Sequence, residues 1–361
     1  MLEVSYKPTV LAMNNKKYLM YISQNYSYAI LRPLQKVIRS QGGEVRWFFE
    51  GKEANPEYLN TDEIQLHSVE AVKAWNPDAV FVPGNIVPRF IPGIKVGVFH
   101  GFHSGKRQMQ HFKIRGCFDM YCTQGPNTTE KFQELAKEHG FFKVTETGWS
   151  TLDPLFTPVV NNPYIDKDDT RPTVLFCSTF TERLSCAETV FEKIKELSLN
   201  GKWRWLVQFH PKMAKSTVEK YKSIQNDNLT FIETDDVIPL LQAADVMLCD
   251  TSSILLMFLL QRKPVVTFNN QVPLEHLLNI TEVSDIENAL TLAMSKPEPL
   301  MKAIDDYCEQ LHPYQDGKSS ERVIAATNEL IETGLNGLKK KPLNLIRHYK
   351  LRKKLNYWKI K

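Results

Sequence analysis

Two histidines stand directly behind apolar runs, where a strand would hand the chain over to a loop. His100 closes KVGVFH and is followed by Gly101, His103, Ser104, Gly105, Lys106 and Arg107. An imidazole titrates near neutrality and suits a general base, provided it is held within hydrogen-bond reach of the proton to be removed. The donors and cations behind it suit a phosphate or an acceptor, and the glycine lets backbone or ligand come close. His103 reads as a neighbour of that chemistry rather than its agent. His210 ends WRWLVQFH and precedes Pro211, which stiffens the turn and disfavours helix at His210. A third concentration, CDTSSILLMFLL, puts Asp250 or Thr251 where either can cap a helix whose first turn holds Ser252 and Ser253. Free N–H groups at such a start attract anions. The plain alternatives are a histidine that only bonds a loop carbonyl and an Asp/Thr cap with no ligand.

Short apolar runs alternate with longer periodic segments along the whole chain, the pattern of parallel sheets flanked by helices. Strands are expected at 17–23, 44–50, 78–84, 95–101, 118–124 and 143–149, with helices at 27–40, 66–75 and 126–139. The Pro- and Asn-rich stretch 157–172 reads as a linker. Beyond it, strands are expected at 173–180, 203–211, 229–233, 245–250 and 264–270, and helices at 186–199, 214–225, 236–243, 252–261, 285–295 and 318–333. This is an α/β chain of two Rossmann-like domains, 1–156 and 173–333, followed by a basic tail, 334–361. Open parallel sheets bind ligands outside the carboxyl ends of their strands, so the two histidines, one per domain, are expected to converge on an interdomain cleft.

With 361 residues, 42% hydrophobic and 24% charged, both domains can bury a core. No apolar run is long enough to span a bilayer and no secretory leader is evident, so a cytoplasmic protein is expected. The six cysteines form no CxxC pair and no zinc spacing, and read as reduced thiols, with Cys122, Cys177 and Cys249 at the ends of apolar runs where a thiol behaves as a small buried hydrophobe. The net charge of +4 is uneven: residues 338–361 hold ten Lys or Arg and no acid, while the other 337 residues hold 35 basic and 41 acidic side chains. The positive charge belongs to one terminal segment, which argues against nucleic acid as a partner. Pro342 can start a helix there in which Leu351, Leu355 and Trp358 share a face. Such a helix suits an anionic membrane interface, and docking on the acidic body is the alternative.

Taken in order, HG with a basic segment, HP at a strand end, DTSSILLMF with KPVVTF, and DGKSSERV (316–323) resemble the CDP-glycerol glycerophosphotransferase family of teichoic acid synthesis. The resemblance covers roughly residues 75–330. It implies a GT-B-like fold with the CDP donor held by the C-terminal domain, and functional histidines at His100 and His210. It implies donor contacts from Asp250, Thr251, Ser252 and Ser253, and from Asp316, Lys318, Ser319, Ser320 and Arg322. The reaction so implied moves glycerol phosphate from CDP-glycerol or a related CDP-polyol to a hydroxyl of a lipid-linked or glycan acceptor and releases CMP. His100 is then the base, and His210, Ser252, Ser253 and Arg322 hold the pyrophosphate. No tightly bound cofactor is implied, although a weakly held Mg²⁺ is compatible. The enzyme would sit peripherally on the inner face of a bacterial plasma membrane, held by residues 338–361. Phe99 stands where the family has Trp, and Gln208 and Phe209 where it has Arg-Pro, which leaves the acceptor open. Rivals on the same scaffold are a nucleotide-sugar glycosyltransferase and a UDP-N-acetylglucosamine 2-epimerase, and beyond enzymes a binding protein that keeps only the scaffold.

Overall fold

The computed structural model describes residues 16–102, 111–234 and 236–359. Two compact units emerge: residues 1–153 together with 318–361, and residues 154–317. The first unit is laid down as β1 (Lys17–Ile22), α1 (Ser27–Ser40), β2 (Glu44–Phe49), β3 (Gln65–Leu66), α2 (Val69–Trp75), β4 (Ala79–Val82), β5 (Ile94–Gly97), β6 (Met120–Thr123), α3 (Pro126–His139) and β7 (Lys143–Glu146). Its seven strands run parallel in the order β3-β2-β1-β4-β5-β6-β7. Helices cover both faces, so strands such as AVFV in β4 are buried throughout. Helix α1 buries Ile30, Leu31, Leu34 and Ile38 at helical spacing. Helix α3 opens on Pro126, whose missing N–H costs nothing in a first turn.

The second unit repeats the plan with β8 (Thr173–Ser178), α4 (Ala187–Leu199), β9 (Arg204–Phe209), α5 (Lys215–Lys222), β10 (Leu229–Phe231), α6 (Ile238–Ala243), β11 (Val246–Cys249), α7 (Ile254–Leu259), β12 (Val265–Phe268), β13 (Leu278–Ile280), α8 (Ile286–Met294) and α9 (Glu298–Leu311). Its six strands are parallel in the order β10-β9-β8-β11-β12-β13. Each unit therefore reverses its strand order once, at β1/β4 and at β8/β11.

Three expectations are corrected. The segment 157–172 is fastened to the second unit: Gln242 Nε2 donates to the Leu155 and Thr157 carbonyls at 3.0 and 2.8 Å, and Gln242 Oε1 accepts the Val159 N–H at 3.0 Å. A single half-buried amide satisfies backbone groups that a free linker would leave to water. Helix α10 (Ser319–Thr333) belongs to the first unit, because Val323, Ile324 and Leu330 join the cluster of Tyr18, Met20, Leu31 and Leu34. Burying three such side chains is worth about 1.5–3 kcal/mol each, enough to keep the helix there.

The third correction is the tail, where α11 (Leu345–Lys354) packs on the first unit. Lys341 pairs with Asp119 at 2.6 Å, Lys354 with Glu50 at 2.8 Å, and Lys73 donates to the Tyr357 phenol at 2.9 Å. Leu351 and Tyr357 are buried. Leu355 packs against the same core, so Leu351 and Leu355 do not form an outward apolar face. Gly116 lies where a Cβ would come within 2.4 Å of Pro342, which only glycine permits.

Candidate functional site

Where a doubly wound sheet reverses its order, the loops leaving the two neighbouring strands open a crevice. In the first unit His100 falls on that point. Phe99 has a φ of 56°, a left-handed conformation that costs a bulky residue of order 1–2 kcal/mol. Packing offsets the cost, since Phe99 is buried with its ring 4.9 Å from His111, 5.9 Å from Tyr121 and 5.1 Å from Phe132. The turned backbone sets His100 against the end of β4, with Nδ1 3.0 Å from the Pro83 carbonyl oxygen. A carbonyl only accepts, so Nδ1 carries the proton and the neutral ring has its lone pair on Nε2. Tyr26, from the loop after β1, lies with its ring 5.5 Å from the imidazole, and burial pushes its phenol up. The Gly101 carbonyl accepts from Gln124 Nε2 at 3.2 Å. His100 is thus exposed while the backbone on both sides of it is held.

In the second unit His210 follows β9 and is exposed, its ring 4.6 Å from Phe180. Its Nδ1 accepts the Lys212 backbone N–H at 3.1 Å. An N–H only donates, so the lone pair here is on Nδ1 and Nε2 carries the proton, the opposite tautomer from His100. A cavity of about 280 Å³ is lined by Ser178, Gln208, His210, Ser252 and Ser253. Through His210, Pro211 and Thr234 it shares walls with a hollow of about 710 Å³ that Lys215, Lys222 and Phe231 also line.

Asp250 stands at the switch point of this unit, fully buried. Its carboxylate accepts the Thr179 N–H at 3.0 Å, the Cys186 N–H at 3.1 Å and the Ser178 hydroxyl, tying the end of β11 to the loop after β8. The expected cap is corrected: α7 starts at Ile254, Ser253 is its N-cap without a side-chain bond, and Thr251 Oγ1 instead accepts the Gln271 N–H at 3.1 Å. Asp250 and Thr251 brace the site, and Ser252 and Ser253 face its cavity. Burial, reinforced by the Asp250 charge, pushes the Cys177, Cys186 and Cys249 thiols up, so they are inert packing groups.

The late segment is placed differently from expectation. It straddles the boundary between units, with Asp316 in the second and Lys318 in the first. Ser319 and Ser320 are buried in the first unit, and their backbone N–H groups both donate to Asp153, each at 2.8 Å. An internal carboxylate thus takes the anion position at the start of α10. Arg322 Nε donates to the Thr147 carbonyl at 2.8 Å and Nη2 to Ser319 Oγ at 3.4 Å. Ser319, Ser320 and Arg322 therefore belong to the first unit and not to the second. His103, Ser104, Gly105, Lys106 and Arg107 lie outside the described residues. Sequence reading missed Tyr26, Pro83, Ser178, Gln208 and Asp153. Ser178 and Gln208 do sit at the ends of apolar runs, but Tyr26 and Pro83 gain meaning only once β1 and β4 are known to be the switch-point neighbours.

The chain matches no family profile and no curated protein sequence. Among solved structures it is similar to a Listeria monocytogenes chain provisionally described as a UDP-N-acetylglucosamine 2-epimerase, with a TM-score of 0.65 at 15% identity over 89% of this chain and 98% of that one. It is similar to a variant of the wall teichoic acid polymerase TagF with CDPG, with a TM-score of 0.59 at 13% identity over 88% and 89%. The S. aureus MnaA–UDP co-structure gives 0.59 at 17% identity over 91% and 99%. At such identities the likeness establishes the fold, a GT-B-type pair of parallel-sheet α/β units shared with these enzymes.

Proposed function

We propose that the chain is a transferase that moves glycerol phosphate, or a related polyol phosphate, from CDP-glycerol to a hydroxyl of a lipid-linked or glycan acceptor, with CMP leaving. The observation that carries this reading is the contrast between the two Nδ1 partners, a carbonyl at His100 and a backbone N–H at His210, which sets opposite tautomers. His100 offers an exposed basic Nε2 from the first unit, and His210 offers an exposed Nε2–H from the second. In this reading the acceptor oxygen attacks the β-phosphorus while its proton passes to His100 Nε2. The bond from the β-phosphorus to the bridging oxygen breaks, and the electron pair departs on CMP. His210 Nε2–H and the Ser252 and Ser253 groups stabilise the charge gathering on the leaving phosphate. Asp250 and Thr251 hold the loops that place them. The reading takes no tightly bound cofactor, and a weakly held Mg²⁺ stays compatible with it.

A second reading, a UDP-N-acetylglucosamine 2-epimerase or nucleotide-sugar glycosyltransferase, is favoured by the equally good likeness to structures described as UDP-N-acetylglucosamine 2-epimerases. Against the epimerase stands the state of two strand-end acids in the first unit. Glu50 is held by Tyr21 and Lys354, and Glu146 accepts from Thr129 at 2.6 Å.

The same proposal places the enzyme at an anionic membrane. No helix among the described residues is long and apolar enough to cross one. With Leu351 turned inward, the outward side of the tail instead carries Leu343, Leu345, Ile346, Tyr349 and Trp358, all exposed, beside exposed Lys350 and Lys353. Each cation near an anionic leaflet contributes about 1 kcal/mol before screening. The function is tested by incubating the protein with CDP-glycerol, CDP-ribitol, UDP-sugars and CMP-sugars and identifying the released nucleotide. CMP from a CDP-polyol supports the proposal, and UDP or an epimerised UDP-sugar replaces it with the second reading.

A further inference from the structure

A second cavity, of about 400 Å³, opens at the other end of the first sheet, where Asp78, Arg89, Gly93, Lys95, Asp119 and Lys341 line it beside apolar side chains of β5 and α10. Asp78 precedes β4, Lys95 lies near the start of β5 and Asp119 precedes β6. These groups sit at the amino ends of strands, whereas Pro83 and His100 follow carboxyl ends. Lys95 is the unusual member. It occupies a central strand between β4 and β6 and is only 7% exposed, and lysines are almost never so buried unless paired. Yet its Nζ donates only to the Gly93 carbonyl, at 2.6 Å, and no ion pair to it occurs among the described residues.

The acids beside it are already engaged. Asp119 accepts Lys341 Nζ at 2.6 Å and the Lys95 backbone N–H at 2.9 Å, while Asp78 accepts the Lys17 backbone N–H at 2.7 Å. Three cations therefore face two carboxylates. Burial first, then Lys341, presses the Lys95 amine down to about 8, with Asp119 opposing and Arg89 adding to the pressure. The positive excess continues past Arg89: burial lowers the His348 imidazole, and Arg89, Arg352 and Arg347 lower it further. Gly93, at φ 84°, lines the cavity, and its backbone is closely packed, since a Cβ there would lie 2.5 Å from the Pro77 carbonyl oxygen.

We propose that this cavity binds a free phosphate-class dianion, inorganic phosphate or the phosphate of a small monoester, held by Lys95, Arg89 and Lys341. The anion's negative charge offsets the positive excess, and its oxygens take the remaining N–H donors of the Lys95 ammonium together with the planar fork of Arg89. The volume suits a small ligand. Because Lys341 belongs to the segment leading into α11, the bound anion also fastens the C-terminal segment to the sheet. The site is independent of the donor cavity and of the reaction proposed there.

The test is calorimetric titration of the full chain with inorganic phosphate at constant ionic strength. One-site binding is expected, weakened roughly tenfold or more in Lys95→Met and in Arg89→Met and unchanged in His210→Ala. Arg89 is exposed and outside the core, so its variant answers even where Lys95→Met fails to fold. The proposal is overturned by absence of binding at millimolar phosphate, by unchanged affinity in Arg89→Met, or by loss of the site in His210→Ala. As a second readout, acylation of Lys95 at pH about 8, mapped by peptide mass, is slowed by phosphate and not by chloride. Equal rates in the two salts would also overturn it.

Discussion

The two histidines carry different chemistry because different backbone groups hold their Nδ1 atoms. Pro83 O fixes a proton on His100 Nδ1 and leaves Nε2 basic, whereas Lys212 N–H fixes a lone pair on His210 Nδ1 and leaves Nε2 a donor. Replacement by glutamine therefore separates them. His100→Gln and His100→Ala both lose about 10²–10⁴ in kcat, since an amide is no base. His210→Gln recovers part of what His210→Ala loses, because its side-chain N–H still donates. Equal recovery at both positions contradicts the tautomer assignment. Asp250 makes a stability prediction: Asp250→Ala leaves the Thr179 and Cys186 N–H groups and the Ser178 hydroxyl without their acceptor in a dry interior, costing about 3 kcal/mol or more in urea unfolding. Lys95 gives a pH signature with a definite sign. Its folded-state value, about 8, lies below the unfolded 10.5, so its burial costs stability below about 8 and that cost disappears as pH rises towards 10.5. In phosphate-free buffer Lys95→Met is thus more stable than wild type at neutral pH by about 1–3 kcal/mol in urea unfolding, and the gain shrinks above pH 8. A gain that is flat with pH would show that the charge is not the cause.

At the scale of elements, apolar runs and helical spacing made most strands and helices readable, because parallel strands buried on both faces are continuous hydrophobic runs. What was not readable has physical reasons. Strands β3 and β13 are short edge strands with too few residues to show a pattern. Helix α9 begins Pro297-Glu298-Pro299, which reads as a breaker, although proline is tolerated in a first turn and Leu300, Ile304, Cys308 and Leu311 mark its buried face. Of the candidate site, His100, His210, Ser252 and Ser253 could be read from strand ends. The bracing role of Asp250 and the internal use of Ser319, Ser320 and Arg322 could not, since each depends on a partner more than 70 residues away in the chain. The tail offers a test of its two faces. Serine at Leu345, Ile346 and Tyr349 together abolishes sedimentation with anionic vesicles and leaves the melting temperature nearly unchanged, whereas Leu351→Ser lowers it. Vesicle binding that survives the triple change rules out this face as the membrane contact.

For the whole molecule, the two units share one plan: a parallel sheet that reverses its order once, with an exposed histidine behind a strand beside the reversal. The chain returns to the first unit after completing the second, so α10 and the basic tail finish the core they started from. Deleting residues 338–361 would uncover the core that Leu351 and Tyr357 cover and leave Asp119 and Glu50 without their lysines, which makes substitution on the outward face the cleaner membrane test. The central claim is the transfer of a polyol phosphate from a CDP donor, and ³¹P NMR of the purified protein with CDP-glycerol and a hydroxylated lipid-linked acceptor tests it most directly. The expected spectrum shows the pyrophosphate signals giving way to CMP and a new phosphodiester in equal amounts, with the rate lost in His100→Ala. An unchanged CDP-glycerol spectrum beside turnover of a UDP-sugar by the same preparation would contradict the account.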